Sequence, residues 1–241
     1  MGELIMKYLI QAIDDYLEKC SLTLKSVRKQ LRPVLNELFE DDSNVNIDEV
    51  LEDITRFYVN YYNAENENLY LKGYDGTEWV NNYGTRKQVM IPMEAKKEGV
   101  SNGLLLSIHN HPEGCAYPSG ADYKNQAEMN QYINVVCSND GILISKNPMT
   151  GLSPTKVSRV ANKYYKETIL KPIEETSEYK NIVKSYHNGN LSLNMANELL
   201  DKHVSGYINK NLPDIAIDST IMFHSKNIPF NVRYKKIKKG L

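Results

Sequence analysis

"GLLLSIHNHPEGCAYPSGAD", residues 103–122, carries two of the chain's five histidines, one residue apart, at the end of its most apolar run. A short, nearly all-apolar stretch such as "GLLLSI" reads as a buried central strand. Residues i and i+2 of a strand share a face, so His109 and His111 project together and Asn110 points away. Pro112 ends the strand, and the chain leaves through a loop containing Gly114. Ser119 then suits the N-cap of a helix and Asp122 its third position, where the helix dipole favours an ionised carboxylate. A lone histidine is usually structural and Ser-x-x-Asp is usually only a capping box. Together, at these spacings, they bring two imidazoles and a carboxylate to one point. A catalytic zinc site needs three protein ligands and one open position. The sequence therefore predicts Zn²⁺ held by His109, His111 and Asp122.

The flanks divide around this stretch by the period of their apolar residues. Residues 1–46 read as an N-terminal helical extension. "MGELIMKYLIQAIDDYLEKC" is amphipathic, and Val27, Leu31, Val34, Leu35 and Leu38 form a second stripe in which Pro33 is expected to break or start a helix. Residues 47–151 form the central α/β domain. Asn46 caps a helix whose face is Ile47, Val50, Leu51, Ile54, Phe57, Tyr58 and Tyr61. "ENLYLKGYDGTEWVNNYG" (67–84) reads as strand, Asp75-Gly76 turn, strand. "KQVMIP" (87–92) is expected to be another strand. A helix from Ser119 to about Gln131 leads to the strand pair "INVVCS" and "ILIS". Residues 152–241 are expected to return to helices. Ser153-Pro154 and Ser192 mark two starts, and His203 lies on an apolar helical stripe as a core residue. The basic end, "RYKKIKKGL", reads as a solubilising tail, with contact to nucleic acid or an acidic partner as the alternative.

Composition narrows the function classes. A net charge of −1 over 241 residues argues against nucleic acid or an anionic membrane as partner. No apolar run approaches the roughly 20 residues that cross a bilayer, and no signal peptide is visible. Cys20, Cys115 and Cys137 form no CxxC pair, which fits a reducing, cytoplasmic setting.

The stretch resembles the JAMM (MPN-plus, or JAB) metallopeptidase motif of His-x-His, seven residues, Ser, two residues, Asp. His109, His111, Ser119 and Asp122 match it position for position. The fuller form, His-Asn-His-Pro-x-Gly-x-x-x-Pro-Ser-x-x-Asp, is most similar to the RadC-like, phage-associated prokaryotic branch, over roughly residues 47–146. Glu113 departs from that branch, which commonly carries Ser there. The resemblance implies a JAB/MPN-like mixed β-sheet flanked by helices, and zinc-dependent hydrolysis of a peptide or isopeptide bond in a protein, peptide or ubiquitin-like substrate. It also implies an upstream Glu as general base. Glu67, at a strand start, fits best, with Glu65 and Glu78 as rivals. Zinc would lower the pKa of its water from about 15.7 to about 7. Glu67 would then move the proton, and the Ser119 hydroxyl would help hold the oxyanion. Cys115, beside the site, either packs in its loop or approaches the metal as a thiolate. Two other readings remain open: a non-catalytic scaffold or binding module of the same fold, and a DNA-associated accessory of the RadC kind.

Overall fold

The computed structural model describes residues 23–238 except 41, 44 and 113. The expected helix over residues 1–20 with Cys20, the departure at Glu113, and the last three residues lie outside the described residues. The elements in chain order are helices α1 (Leu24–Leu38) and α2 (Ile47–Tyr61), then strands β1 (Leu69–Gly73) and β2 (Glu78–Asn81). Helix α3 (Met93–Asn102), strand β3 (Leu104–Asn110), helix α4 (Gly120–Glu128) and strands β4 (Gln131–Ser138) and β5 (Gly141–Lys146) follow. Helix α5 starts as Pro154–Tyr164 and runs on through π-helical turns Tyr165–Leu170 into Lys171–Glu174. Helices α6 (Ser177–His187) and α7 (Leu193–Ser225) and strand β6 (Asn231–Lys236) complete it.

The strands form one open mixed sheet in the order β2-β1-β3-β4-β5-β6. Only the β3–β4 pair is parallel, and α4 is its crossover. One face packs on α1 and α2, where Leu106, Ile108, Val135, Ile142 and Ile144 meet Val27, Leu31, Leu35 and Ile54. The other face packs on α4, α5 and α7 through Leu143, Tyr123, Val157, Leu212 and Phe223. Burying each such aliphatic side chain is worth about 1.5–3 kcal/mol, so both layers hold the sheet.

Several helix starts follow from their caps. Asn46 accepts from the Glu49 amide, Ser153 from Lys156 and Ser192 from Met195. Asn130, at φ 44°, turns the chain from α4 into β4, three residues earlier than the expected helix end.

Four expectations are corrected. Pro33 neither breaks nor starts a helix but sits inside α1. There it forfeits its own bond to the carbonyl four residues back and crowds that carbonyl, while Leu31 and Leu35 anchor both sides. Residues 87–92 form no strand. Thr85 instead pairs with Gln88 and with Glu67, and the chain enters α3 at Met93. Residues 152–241 are not wholly helical, because β6 pairs along β5 from Asn231 to Lys236. The basic end is therefore not a free tail over 231–238. Val232 and Tyr234 pack inward, Arg233 binds Glu37 of α1 at 2.9 Å, and Lys238 exchanges hydrogen bonds with Gln30. The core thus crosses both borders read from the sequence. His203 is partly buried, with Nε2 2.9 Å from Thr176 Oγ1 and Nδ1 3.1 Å from Glu178, holding α7 to the start of α6.

Candidate metal centre

His109 is near the carboxyl end of β3, between β1 and β4, where it pairs with Leu69 and Val136. His111 lies just past the strand, but its amide still bonds the Cys137 carbonyl at 2.8 Å and continues the ladder. Both imidazoles therefore emerge on one face, as the period of two requires. Their Nε2 atoms are 3.2 Å apart.

Asp122 reaches the same point from α4. Ser119 Oγ accepts from the amides of Ala121 and Asp122, and the Ser119 amide donates to Asp122 Oδ2 at 2.7 Å. This reciprocal capping box fixes the carboxylate. Tyr123, the next residue, faces the core and packs on Phe223 and Phe230, so α4 is gripped on its far side. Asp122 Oδ1 is 3.5 Å from His109 Nε2, and Oδ2 is 3.8 Å from His111 Nε2.

These separations test the site against an ion. A tetrahedral ion with bonds of about 2.0–2.1 Å keeps its ligand atoms about 3.3–3.4 Å apart. The separations of 3.2, 3.5 and 3.8 Å, the last two to different oxygens of Asp122, lie near that spacing. His109, His111 and Asp122 form a group able to hold a metal ion. His111 Nδ1 lies 2.8 Å from the Cys115 carbonyl, to which it donates, and this leaves Nε2 as the acceptor a metal requires.

The electrostatics agree. Burial and the neighbouring His109 push the His111 pKa down to about 4, so the ring is neutral at pH 7. Burial also opposes charge on His109, but the Asp122 carboxylate and the charge of Glu67 outweigh it and raise its pKa. Burial would raise Asp122, yet both imidazoles and the Ser119 side chain hold it well below the usual carboxylate range.

The group opens into a cleft of about 660 Å³. Glu67 lines this cleft and is 9% exposed. Its amide bonds Thr85, and extending the β1–β3 register sets position 67 opposite His111, on the face that carries both histidines. The rivals are placed elsewhere. Glu65 is exposed. Glu78 pairs with Lys72 on the opposite face, whose ammonium also binds Asp53 and Glu49 of α2. Ser119 also lines the cleft. Cys115 turns its side chain to the core, where burial pushes the thiol up to about 11. Its carbonyl, not its sulfur, serves the site.

Sequence reasoning missed the walls of this cleft. One is the 86–91 loop, with Arg86 and Lys87. The other is built by Tyr165 of α5 and Asp201, Val204 and Ile208 of α7. Lys87 and Asp201 approach to 3.8 Å across the mouth. No local pattern announces residues that meet the motif only through tertiary packing. Among the described residues no helix is long and apolar enough to cross a membrane. Comparison with known protein families, with curated proteins and with solved structures finds no match for the chain.

Proposed function

We propose that the protein is a zinc-dependent hydrolase of the JAMM kind, cleaving a peptide or isopeptide bond in a protein or peptide substrate. The carrying observation is that two imidazole nitrogens and one carboxylate oxygen converge within 4.8 Å of one another while Glu67 lines the same cleft on the same side of the sheet. His109, His111 and Asp122 would hold the ion, which supplies Lewis acidity to water and to a carbonyl. Glu67 is the general base that takes the proton of the attacking water and returns it to the departing amine. Ser119 Oγ accepts two amides, and its hydroxyl would donate to the carbonyl oxygen as charge grows there. The cleft has a wall on each side and an open mouth, which suits an extended segment of polypeptide. Free thiols at Cys115 and Cys137 support a reducing, cytoplasmic setting.

The test pairs metal analysis with turnover of a peptide or ubiquitin-like fusion substrate. The wild-type chain should hold one zinc, and His109→Ala combined with His111→Ala should hold none. Glu67→Gln should keep zinc and lose nearly all hydrolysis, whereas Glu65→Gln and Glu78→Gln keep most of it. A full zinc equivalent in the double variant, or undiminished turnover by Glu67→Gln, overturns the reading.

A further inference from the structure

Both ends of the ligand-bearing segment lean on the C-terminal helices. Gly114 has a φ of 89°, in the left-handed region that favours glycine. This conformation presents its carbonyl to α7, where Asn209 Nδ2 donates to it. The very next carbonyl, that of Cys115, is the one that receives His111 Nδ1–H. At the other end, Gly120 lies so close to Asn162 of α5 that a Cβ there would fall 2.1 Å from Oδ1. Among the described residues the Asn209 amide oxygen has no hydrogen-bond partner, so the side chain is committed to Gly114 rather than to a wider network. Asn211, two residues on, makes the contrasting choice and donates to the Tyr207 carbonyl of its own helix at 2.8 Å.

We propose that Asn209 is a positioning residue for the metal centre. It holds the backbone at Gly114 so that the Cys115 carbonyl fixes the His111 ring with Nε2 toward the ion. The inference rests on reading the site as a metal centre. Without Asn209 the Gly114 carbonyl is released, the adjoining peptide is free to rotate, and the Cys115 carbonyl no longer pins the imidazole. Removing a group that orients a ligating histidine costs roughly 10–100-fold in metal affinity. Asn209 acts one bond further out, so the lower end, about 10-fold, is expected.

The experiment compares the full wild-type chain with Asn209→Leu, Asn209→Ala and the control Asn211→Ala. Zinc affinity is read by competition with a chromophoric chelator. Ligand geometry is read from the visible absorption of the cobalt-substituted protein at saturation. Both Asn209 variants should bind zinc about 10-fold more weakly and show altered cobalt bands, while Asn211→Ala changes neither. Alanine is a stronger helix former than asparagine, so Asn209→Ala keeps the test open should the leucine variant fail to fold. Wild-type zinc affinity and unchanged cobalt bands in Asn209→Ala overturn the positioning role and leave the metal centre standing. A wild-type chain that binds neither ion overturns both.

Discussion

Replacing Ser119 by alanine separates two tasks performed by one hydroxyl. As a cap, Oγ accepts from two amides at 3.2 Å each. Losing an N-cap costs about 0.5–2 kcal/mol. Ser119 and Ala121 are exposed, so water reaches the amides left behind and the lower half of that range applies, about 0.5–1 kcal/mol. In a chain of this size 1 kcal/mol moves Tm by about 2–4 °C, so a fall of roughly 1–4 °C is expected. The anchor of Asp122 is the backbone amide of residue 119, at 2.7 Å, which alanine retains. One zinc equivalent should therefore remain. If the hydroxyl proton also serves the oxyanion, hydrolysis should fall by about 10²–10³, equivalent to roughly 2.7–4 kcal/mol in the transition state. That loss exceeds the cap cost several-fold, and a domain with about 5–15 kcal/mol of stability stays folded meanwhile. Thermal denaturation, metal analysis and turnover on one preparation resolve the two tasks, and Ser119→Thr should recover both. Loss of zinc in Ser119→Ala, or turnover within about fivefold of wild type, would refute the reasoning.

Gly120→Ala should destabilise by about 1–3 kcal/mol through overpacking, since the added Cβ would lie 2.1 Å from Asn162 Oδ1. Adding Asn162→Ala should recover most of it, and additive costs in a urea-denaturation cycle would refute the clash. Burial raises the phenol pKa values of Tyr58 and Tyr123 above the usual tyrosine range. The unfolded chain then releases those protons first, so stability is intact below about pH 10 and falls as pH rises beyond it. In 295 nm titrations compared with Tyr58→Phe and Tyr123→Phe, both phenols should ionise together with unfolding, and a contribution from either at pH 10 in the folded protein would contradict this. Truncation after Phe230 removes Val232 and Ile237, each fully or nearly buried, and should cost at least about 3–6 kcal/mol in urea unfolding. A truncated chain of wild-type stability would show β6 to be dispensable.

The convergence of His109, His111 and Asp122 was legible because its geometry is local. One strand and one helix cap, within fourteen residues, set every angle that matters. The same holds for the helices whose starts carry Asn46, Ser153 or Ser192. Strand β6 was overlooked although Val232, Arg233, Tyr234 and Lys235 alternate. Their lysines suggested solvent, and an edge strand has one polar face as well as one unpaired rim. Helix α3, "MEAKKEGVSN", escaped because only Ala95 and Gly99 are buried, leaving little apolar stripe to read. The residues before it, with Val89, Met90 and Ile91, carry the apolar content of a strand. The cleft walls were beyond reach for a different reason. Asp201 and Ile208 approach His109 only after some ninety intervening residues have packed, and no spacing rule spans that distance.

The pairing of β6 with β5 has a consequence during synthesis. Asn231 leaves the ribosome 85 residues after Lys146. At about 5–20 residues per second this is a delay of roughly 4–17 s. Throughout that interval the rim of β5 offers unpaired amides and carbonyls to any extended segment nearby. Helix α1 waits longer still, because Lys238 follows its partner Gln30 by 208 residues. A nascent chain of this protein therefore needs shielding late in translation rather than early, and crowded polysomes would be where it misassembles.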